Sequence, residues 1–378
     1  MKDCGSEIIE LRSITLYCIE MELRREFETS FGKSLKLPKI LVKVIDSSGE
    51  EGWGEVVAGE GPWYSYETWE TALLILEKYL VPQILGKREL RPRNAWSMMR
   101  SVRGHNMAKA GLEMALWDLG AKLARKPLYE YIGGVRDYAV SGVSLGIRSS
   151  IGELVAEVGS RIEEGYARIK VKIKPGWDYE VLRALRRAYP DVLLQADANG
   201  AYTLRDLPTL LKLDKFELLM LEQPLAYDDL VDHAVLSRKM RTPICLDESI
   251  NSMSSLKAAY ALGSCEILNL KPGRVGGYTP SLEIAHFAAQ CGIGVWIGGM
   301  LESGVGRGHL VALATLDCIN YPNDISASNR YWREDIVEPP WTLQDGKIMA
   351  PRKPGIGVEV VEKRVEKLCK KRRELRGR

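Results

Sequence analysis

The segment ARIKVKIK, residues 167–174, is a short apolar run that carries Lys172 near its end, and it sets a spacing that the following chain repeats. Four later apolar runs also close on a charged residue: DVLLQAD (191–197), ELLMLE (217–222), TPICLD (242–247) and EILNLK (266–271). The five charged ends are Lys172, Asp197, Glu222, Asp247 and Lys271, separated by 25, 25, 25 and 24 residues. Because a buried ion without a partner costs several kcal/mol, five such ends predict a shared centre.

A parallel barrel supplies such a centre, because the carboxyl ends of all its strands open onto one face. Strand–helix alternation begins at Val140 and predicts strands near residues 140, 168, 192, 217, 243, 265 and 293. Each parallel crossover needs its own helix, so repetition of units this long favours a barrel over an open sheet. The alternation fails after about residue 325.

The chain before residue 135 has a different pattern. Segments 8–23 and 40–45 alternate as antiparallel strands do, and helices are predicted at 68–80 and 107–123. This part is expected to form an α+β module, and the proline-rich runs after residue 325 are expected to pack back on it. The basic end, residues 370–378, is interpreted as the solvated close of a final helix.

Composition excludes several classes of protein. Of the 378 residues 46% are apolar and 27% charged, which is typical of a globular chain, and no apolar run is long enough to span a membrane. The net charge of +3 is too small to indicate nucleic-acid binding. Seven scattered cysteines without a CxxC pair and the lack of an apolar leader predict a reduced, cytoplasmic location.

Three of the charged ends predict a metal site. Asp197, Glu222 and Asp247 come from three successive strands, so their carboxylates are expected to converge. Hard oxygen ligands suit Mg²⁺ or Mn²⁺, whereas zinc prefers His or Cys. Only four histidines are present, and none begins an HExxH motif.

The two lysines lie on strands that flank this trio, so in a closed barrel they face each other across the metal. A lysine is a useful base only when its pKa falls, and a nearby cation lowers it. Lys170 faces the same way as Lys172 and is the expected cation there, with contact to a substrate carboxylate as a second role. For Lys271 the expected cation is Arg274 or the metal.

The implied chemistry is proton abstraction beside a carboxylate, with the metal stabilising the enediolate that forms. Two opposed bases allow removal on one face and return on the other, which is racemisation. A single base that returns its proton to a leaving hydroxyl gives elimination instead. An alternative interpretation of Arg274 is purely structural, as a cap on the loop that follows its strand.

The chain resembles the enolase superfamily, and within it the o-succinylbenzoate synthase and N-acylamino acid racemase family. The segments that carry the resemblance are TSFG (29–32), EGWGE (51–55), GPWYS (61–65), GHNMAKAGLEMALWD (104–118), SGVSLGI (141–147), RIKVKIKPGWD (168–178), DANGAY (197–202), LEQPL (221–225), LDES (246–249), LKPGRVGG (270–277) and GGMLESGVGR (298–307). They cover nearly the whole chain, and the ordered set is highly specific.

The resemblance implies an α/β fold in which a modified (β/α)7β barrel, residues 136–325, lies under an α+β capping domain. That domain is built from residues 1–135 and completed by residues 326–378. The resemblance also implies Mg²⁺ on Asp197, Glu222 and Asp247, with Lys172 and Lys271 as the acid/base pair and Glu248 behind the metal ligands.

In relatives, loops near residues 27–32 and 58–64 cover the substrate. The resemblance therefore implies a set of substrate contacts: Lys170, Arg274, Ser144, Phe27, Tyr64, Asn199, Gly299, Met300 and Glu302. It further implies a small carboxylate substrate, a homo-oligomer (a dimer or an octamer) and a place in menaquinone biosynthesis. The first loop departs from its relatives at Arg24, Arg25 and Glu26, the second at 58–60, and DANGAY at Gly200, which leaves the acyl and side-chain preference open.

Two other outcomes stay open at this point. One is a relative with a different reaction, a muconate-type cycloisomerase or a dipeptide epimerase. The other is a catalytically silent binding protein on the same fold, against which the retention of both lysines and all three carboxylates argues.

Overall fold

The computed structural model describes residues 4–29 and 32–377. The chain begins with an antiparallel sheet of β1 (Leu11–Thr29), β2 (Gly32–Asp46) and β3 (Glu51–Val56). Successive side chains of β1 bury opposite faces, since Leu16 packs in one apolar cluster and Tyr17 in the other.

The β1–β2 hairpin is longer than the sequence predicts. The pairing continues past Phe27, which lies opposite Ser34, so the described part of residues 27–32 is strand rather than loop. Ser30 and Phe31, which belong to the predicted substrate loop, lie outside the described residues. The exposed, charged end of this hairpin lacks the strict alternation of apolar and polar residues by which strands are recognised from sequence. Here β1 and β2 are held in strand conformation by their backbone pairing with each other.

Helices follow the sheet: α1 (Trp69–Ile75), a π-helical stretch (Leu76–Leu80), α2 (Val81–Ile84), α3 (Pro92–Met98), a 3-10 turn (Met99–Ser101), α4 (Asn106–Leu123) and α5 (Leu128–Tyr131). The predicted helices at 68–80 and 107–123 are confirmed, while α3 was not predicted. Helix α4 is buried almost all round because it lies between this sheet and the barrel. Gly54 permits the approach, since a Cβ there would lie 2.1 Å from the Gly111 carbonyl oxygen.

Short strand β4 (Tyr138–Val140) precedes seven parallel strands, which neighbour one another in chain order. These are β5 (Gly142–Leu145), β6 (Arg168–Lys172), β7 (Leu194–Asp197), β8 (Met220–Glu222), β9 (Ile244–Leu246), β10 (Ile267–Leu270) and β11 (Gly294–Ile297). The helices between these strands are α6 (Ile151–Glu163), α7 (Tyr179–Ala188), α8 (Leu207–Leu211), α9 (Val231–Ser237), α10 (Met253–Leu262), α11 (Pro272–Val275) and α12 (Tyr278–Gln290). Two 3-10 turns, Leu204–Asp206 and Lys212–Phe216, flank α8. Helix α13 (Gly304–Ala314) follows β11.

An irregular segment, residues 320–325, closes the barrel. The Asp324 amide donates to the Ile297 carbonyl on β11 at 2.9 Å, and the Gly142 amide on β5 donates to the Asn323 carbonyl at 2.6 Å. The two outer strands of the sheet are thereby joined through this segment. The predicted α/β fold, a modified (β/α)7β barrel with an α+β cap, is confirmed.

After the barrel come α14 (Ser328–Tyr331), β12 (Val337–Glu338), β13 (Lys347–Met349), β14 (Glu359–Val360), α15 (Glu362–Leu368) and β15 (Cys369–Arg376). The prediction that the basic end closes a helix is wrong, because β15 pairs antiparallel with β1 and satisfies the backbone groups along its edge. Arg373 adds an ion pair to Glu77 at 3.0 Å. The proposed domain boundaries at residues 135 and 325 stay predictions.

Two further observations concern the described part of the chain. None of its helices has the length and apolarity needed to cross a membrane. All seven cysteines are free thiols.

Candidate active site

The five charged strand ends meet at the carboxyl end of the barrel. Strand register places Lys172 beside Asp197 and Asp197 beside Glu222. Asp197 and Asp247 are each 1% exposed and Glu222 is fully buried. The convergence predicted from the 25-residue spacing is therefore present in the structure, at the face where barrel active sites lie.

Glu222 lies at the centre of a hydrogen-bond network. Its carboxylate accepts from Lys170 Nζ at 3.0 Å, from Gln195 Nε2 at 2.5 Å and from Asn269 Nδ2 at 2.6 Å. The sequence assigned no role to Gln195 or Asn269. Their amides fix the Glu222 carboxylate, because a buried carboxylate needs donors on its oxygens.

Lys172 is held by two acceptors. Its Nζ lies 2.6 Å from Asp197 Oδ2 and 2.6 Å from Asn199 Oδ1. Lys170 also reaches Asp197, at 3.1 Å, so both lysines of strand β6 contact the same carboxylate. The charged part of strand β6 thus faces the barrel interior as predicted.

Lys271 is held on the opposite side of the carboxylates. Its Nζ lies 2.8 Å from Asp247 Oδ2 and 3.2 Å from the Tyr64 hydroxyl, which in turn donates to Asp247 Oδ1 at 3.0 Å. Burial favours the neutral amine, but the adjacent Asp247 carboxylate outweighs it and raises the pKa of Lys271 above its ordinary value. Arg274, one of the two cations expected to lower it, does act in that direction, but the effect of Asp247 is larger. The lowering by the metal stays a prediction.

That cation, Arg274, is engaged by the protein. Its guanidinium contacts the Asp247 carboxylate and the Tyr64 hydroxyl, the latter at 3.2 Å, and its Nε donates to the Ile250 carbonyl at 2.7 Å. Its side chain is only 5% exposed, yet it also lines a cleft together with Tyr64, Asn199 and Glu248. The structural role and the substrate contact of Arg274 both stay predictions.

The carboxylate trio fits a divalent cation by its chemistry. All three donors are hard oxygen atoms on adjacent strand ends, which suits Mg²⁺. Among the described residues no three acidic, His or Cys side chains stand close enough to enclose an ion, because each of these carboxylates is turned onto a lysine. Burial and the neighbouring Asp197 raise the pKa of Glu222, so a further cation at this centre would stabilise its ionised form.

Glu248 lies beside the trio. Its Oε1 accepts from Asn199 Nδ2 at 3.0 Å, whereas Oε2 is buried without a hydrogen-bond partner in the described structure. Burial and the nearby Asp247 carboxylate raise the pKa of Glu248 to about 8. Among the described residues Glu248 forms no ion pair with a lysine, and its place behind the metal ligands stays a prediction.

Two connected spaces adjoin the lysines. We call the first the inner cavity; its lining includes Phe27, Ser144, Lys170, Lys172, Lys271, Gly299, Leu301, Glu302 and Asp324. We call the second the entrance cleft; it lies between the β1–β2 hairpin and residues 57–65, and its lining includes Phe27, Tyr64, Lys172, Asn199, Lys271, Gly299 and Met300. Of the predicted substrate contacts, all but Arg274 line one of these two spaces.

Three residues at the barrel mouth hold left-handed backbone conformations. Asn199, Gln223 and Leu301 have φ values of 43°, 37° and 55°. Such φ values are uncommon outside glycine and cluster at functional sites. Gln223 also fixes the Asp247 loop, since its Oε1 accepts from the Asp247 amide at 3.0 Å. LEQPL is part of the resemblance, but nothing in the sequence alone indicated this contact.

Sequence reasoning missed Asp324 and Glu55. Asp324 lies in the irregular closing segment, where no strand ending on a charge marks it. Glu55 comes from the cap sheet and accepts from Ser303 and Gly306 at the start of α13, so its contacts are visible only in the folded chain. The motif EGWGE was the only signal for Glu55.

Comparison with known proteins agrees with this geometry. The mandelate racemase / muconate lactonizing enzyme N-terminal domain family matches residues 12–133, and the enolase C-terminal domain-like family matches residues 153–364. The crystal structure of an enolase superfamily member from Listeria innocua superposes with a TM-score of 0.95 at 38% identity, over 97% of this chain and 99% of that one.

Two curated relatives are similar over nearly their full length. An o-succinylbenzoate synthase of Geobacillus kaustophilus is 47% identical, over 95% of this chain and 96% of the relative. An N-succinylamino acid racemase of Thermus thermophilus is 46% identical, over 93% of this chain and 95% of the relative. The protein therefore belongs to the enolase superfamily, in the family of o-succinylbenzoate synthases and N-succinylamino acid racemases.

Proposed function

We propose that this enzyme abstracts the proton alpha to a carboxylate, with Lys172 and Lys271 as the acid/base pair. The observation that carries the proposal is that both lysines line the same inner cavity from strands on either side of the carboxylate trio. Each side chain is 9% exposed, so each amine lies in a largely desolvated space beside the cavity. Proton transfer by positioned groups of this kind contributes roughly 10²–10⁴-fold to rate.

The carboxylates of Asp197, Glu222 and Asp247 would hold Mg²⁺ or Mn²⁺. When bound, the ion supplies positive charge beside the substrate carboxylate. The bound ion would weaken the attraction between the ligand carboxylates and the protonated lysines. The pKa of each lysine would then fall, which favours the neutral amine that a base requires. Lys170 keeps Glu222 and Asp197 oriented through the ion pair that it forms with each of them.

Two outcomes of this chemistry fit the pair of lysines. Exchange of the proton between the two faces racemises an N-acylamino acid, and an N-succinyl group is the acyl group named for the similar racemases. Loss of a neighbouring hydroxyl after abstraction gives o-succinylbenzoate, the product named for the similar synthases. Both types of relative exceed 45% identity, so the chain is proposed to catalyse one or both reactions on a small carboxylate. A homo-oligomer is proposed as the assembly.

Proton exchange in D₂O tests the proposal directly. The enzyme with Mg²⁺ is incubated with each enantiomer of an N-succinylamino acid, and the α-proton signal is followed by NMR. Loss of the signal from both enantiomers is expected, and EDTA should prevent it. If neither enantiomer exchanges, the o-succinylbenzoate precursor is tested next and dipeptides after it. Failure with all of these substrates in folded, metal-supplied enzyme leaves the silent binding protein.

The metal site has an independent test. Asp197→Ala should weaken Mg²⁺ binding in calorimetry at least tenfold, because one of three anionic ligands is lost. Asp206→Ala, which removes a carboxylate from the exposed turn at Thr203, is the matched control and should bind as the unaltered chain does. Equal Mg²⁺ affinity in Asp197→Ala and the unaltered chain would refute the ligand role.

A further inference from the structure

The inner cavity extends away from the metal-ligand candidates towards the segment that closes the barrel. Asp324 on that segment lines the cavity together with Lys172 and Lys271. Its side chain is 8% exposed, so the carboxylate is nine-tenths buried. No role has been given above to this group, although it lies on the same cavity as both proposed bases.

The described residues bond to one of the two Asp324 oxygens. Oδ2 accepts from Ser144 Oγ at 2.7 Å and lies 3.6 Å from Lys170 Nζ. Oδ1 is buried and has no hydrogen-bond partner among the described residues. Burial opposes ionisation of Asp324, but Lys170 and Arg168 outweigh it and lower the pKa of this carboxyl, which favours the ionised form and its oxygens as acceptors.

The cavity lining near Asp324 is mixed: Arg307 and Tyr331 contribute polar groups, and among the described residues Nη1 of Arg168 is also buried without a hydrogen-bond partner. Leu301, Leu310 and Ile325 contribute apolar surface to the same cavity. A buried acceptor without a donor carries an unfavourable free energy, which is larger when the acceptor is charged. A ligand that brings a hydrogen-bond donor to this place recovers that free energy, whereas a ligand of the same shape without a donor does not.

We propose that Asp324 is a substrate-specificity residue whose Oδ1 accepts a hydrogen bond from a donor group attached beside the reacting carbon. In an N-acylamino acid the donor is the amide N–H, which is bonded directly to the carbon that loses its proton. In the dehydration substrate it is the hydroxyl that leaves from a neighbouring carbon. One acceptor would thus serve both reactions named for the relatives, and the inference rests on the proposed function in this respect.

An isosteric pair of substrates isolates this contact. N-succinylphenylglycine carries the N–H, and O-succinylmandelic acid carries an ester oxygen in its place. The α-proton exchange rate of each is measured as kcat/KM with the unaltered enzyme, Asp324→Asn and Asp324→Ala. For each enzyme, kcat/KM for the amide substrate is divided by kcat/KM for the ester substrate. Comparison of this amide/ester ratio between a variant and the unaltered enzyme cancels the different intrinsic acidities of the two substrates.

The ratio is expected to fall at least tenfold in Asp324→Ala, with a smaller fall in Asp324→Asn, which keeps the size of the side chain and a bond to Ser144. The matched control is Ile325→Val, which alters the same cavity wall without a polar group and should keep the ratio within about twofold. Asp324→Asn keeps the test valid if the alanine variant does not fold.

An unchanged ratio would overturn the proposal, even if both substrates slow equally. In that case Asp324 acts only through Lys170, or its Oδ1 is satisfied inside the protein, for example towards the unpartnered Nη1 of Arg168. If the unaltered enzyme exchanges neither substrate and also fails to convert the o-succinylbenzoate precursor, the proposed function is refuted instead. The two failures are therefore distinguishable.

Discussion

At the residue scale, the barrel mouth is a set of opposite charges that neutralise one another in pairs. Lys172 contacts Asp197, Lys170 contacts Glu222, and Lys271 contacts Asp247. Such pairing is required because an isolated buried ion is too costly, and removal of one partner leaves the other uncompensated. A charged ligand that enters this centre must replace some of these lysine–carboxylate contacts. The affinity for such a ligand therefore depends on its charge.

The two-base proposal makes a residue-scale prediction. Lys172→Ala and Lys271→Ala should each lower racemisation by about 10³-fold or more, since each removes the group that serves one face of the substrate. Polarimetry on an N-succinylamino acid measures the loss, and circular dichroism checks that each variant is folded. Lys174→Ala is the matched control, because Lys174 belongs to a turn with Trp177 beyond the strand and should leave the rate unaltered. Full racemisation by either catalytic variant would contradict the two-base mechanism.

At the element scale, the cap sheet is tied to the barrel at the start of α13. Glu55 on β3 is 1% exposed and pairs with Lys39 of β2 at 2.8 Å. The same carboxylate accepts from the Ser303 amide at 3.1 Å and the Gly306 amide at 3.0 Å. The loop 298–302, which lines the inner cavity, ends at this anchor. A carboxylate at the start of a helix accepts hydrogen bonds from the free amides there and interacts favourably with the positive end of the helix dipole. The contact therefore stabilises α13 and the preceding loop.

Loss of this anchor should be costly. Glu55→Ala leaves Lys39 buried and unpaired, and a decrease of about 3–5 kcal/mol in the free energy of unfolding is expected. Urea denaturation measures it. The double variant Lys39→Met/Glu55→Ala should recover part of the loss, because the unpaired charge is removed. Glu20→Ala, which breaks the exposed pair with Lys36, is the control and should cost less than about 1 kcal/mol. Equal stabilities for the Glu55 and Glu20 variants would show that the anchor does not stabilise the fold.

Strand β15 gives a second lesson at the element scale. Its sequence, CKKRRELR, has the composition of a solvated helix end, yet it forms the outer strand of the cap sheet. Basic side chains on an edge strand discourage pairing with other chains. The strand forms because β1 offers it backbone partners, which no local propensity reveals.

At the scale of the whole molecule, buried polar contacts join the cap to the barrel. Fully buried His309 of α13 lies 2.8 Å through Nε2 from the Trp53 carbonyl of β3, so Nε2 is the donor of this hydrogen bond. Burial lowers the pKa of His309 below its ordinary value of 6.5. The unfolded chain therefore takes up a proton at a higher pH than the folded chain does.

The stability of the whole molecule should consequently fall as the pH decreases below about 6.5. When the unfolded state binds one more proton than the folded state, the free energy of unfolding changes by about 1.4 kcal/mol per pH unit. Urea denaturation between pH 8 and pH 5 measures the slope, and His309→Gln should reduce it by up to this amount while lowering stability at pH 8 through poorer packing. Parallel curves for the two proteins over this range would contradict the assignment.

Much of the fold and part of the site could be predicted from the sequence. The repeat of apolar runs ending in Lys172, Asp197, Glu222, Asp247 and Lys271 determined the barrel and the convergence of these side chains, because parallel strands of one barrel place their carboxyl ends together. Period-two alternation also determined which side chains face inward. The resemblance to known motifs added the family, which the comparisons confirm.

Only the tertiary structure decided the remaining features. The engagement of Tyr64 with Lys271, the capping of α13 by Glu55 and the placement of Asp324 on the inner cavity all join residues from different parts of the chain. The pairing of β15 with β1 is of the same kind. The physical reason is that local sequence specifies the period and polarity of each element, whereas the partner of a buried charge or of a strand edge is set by what the packed elements bring within hydrogen-bonding distance.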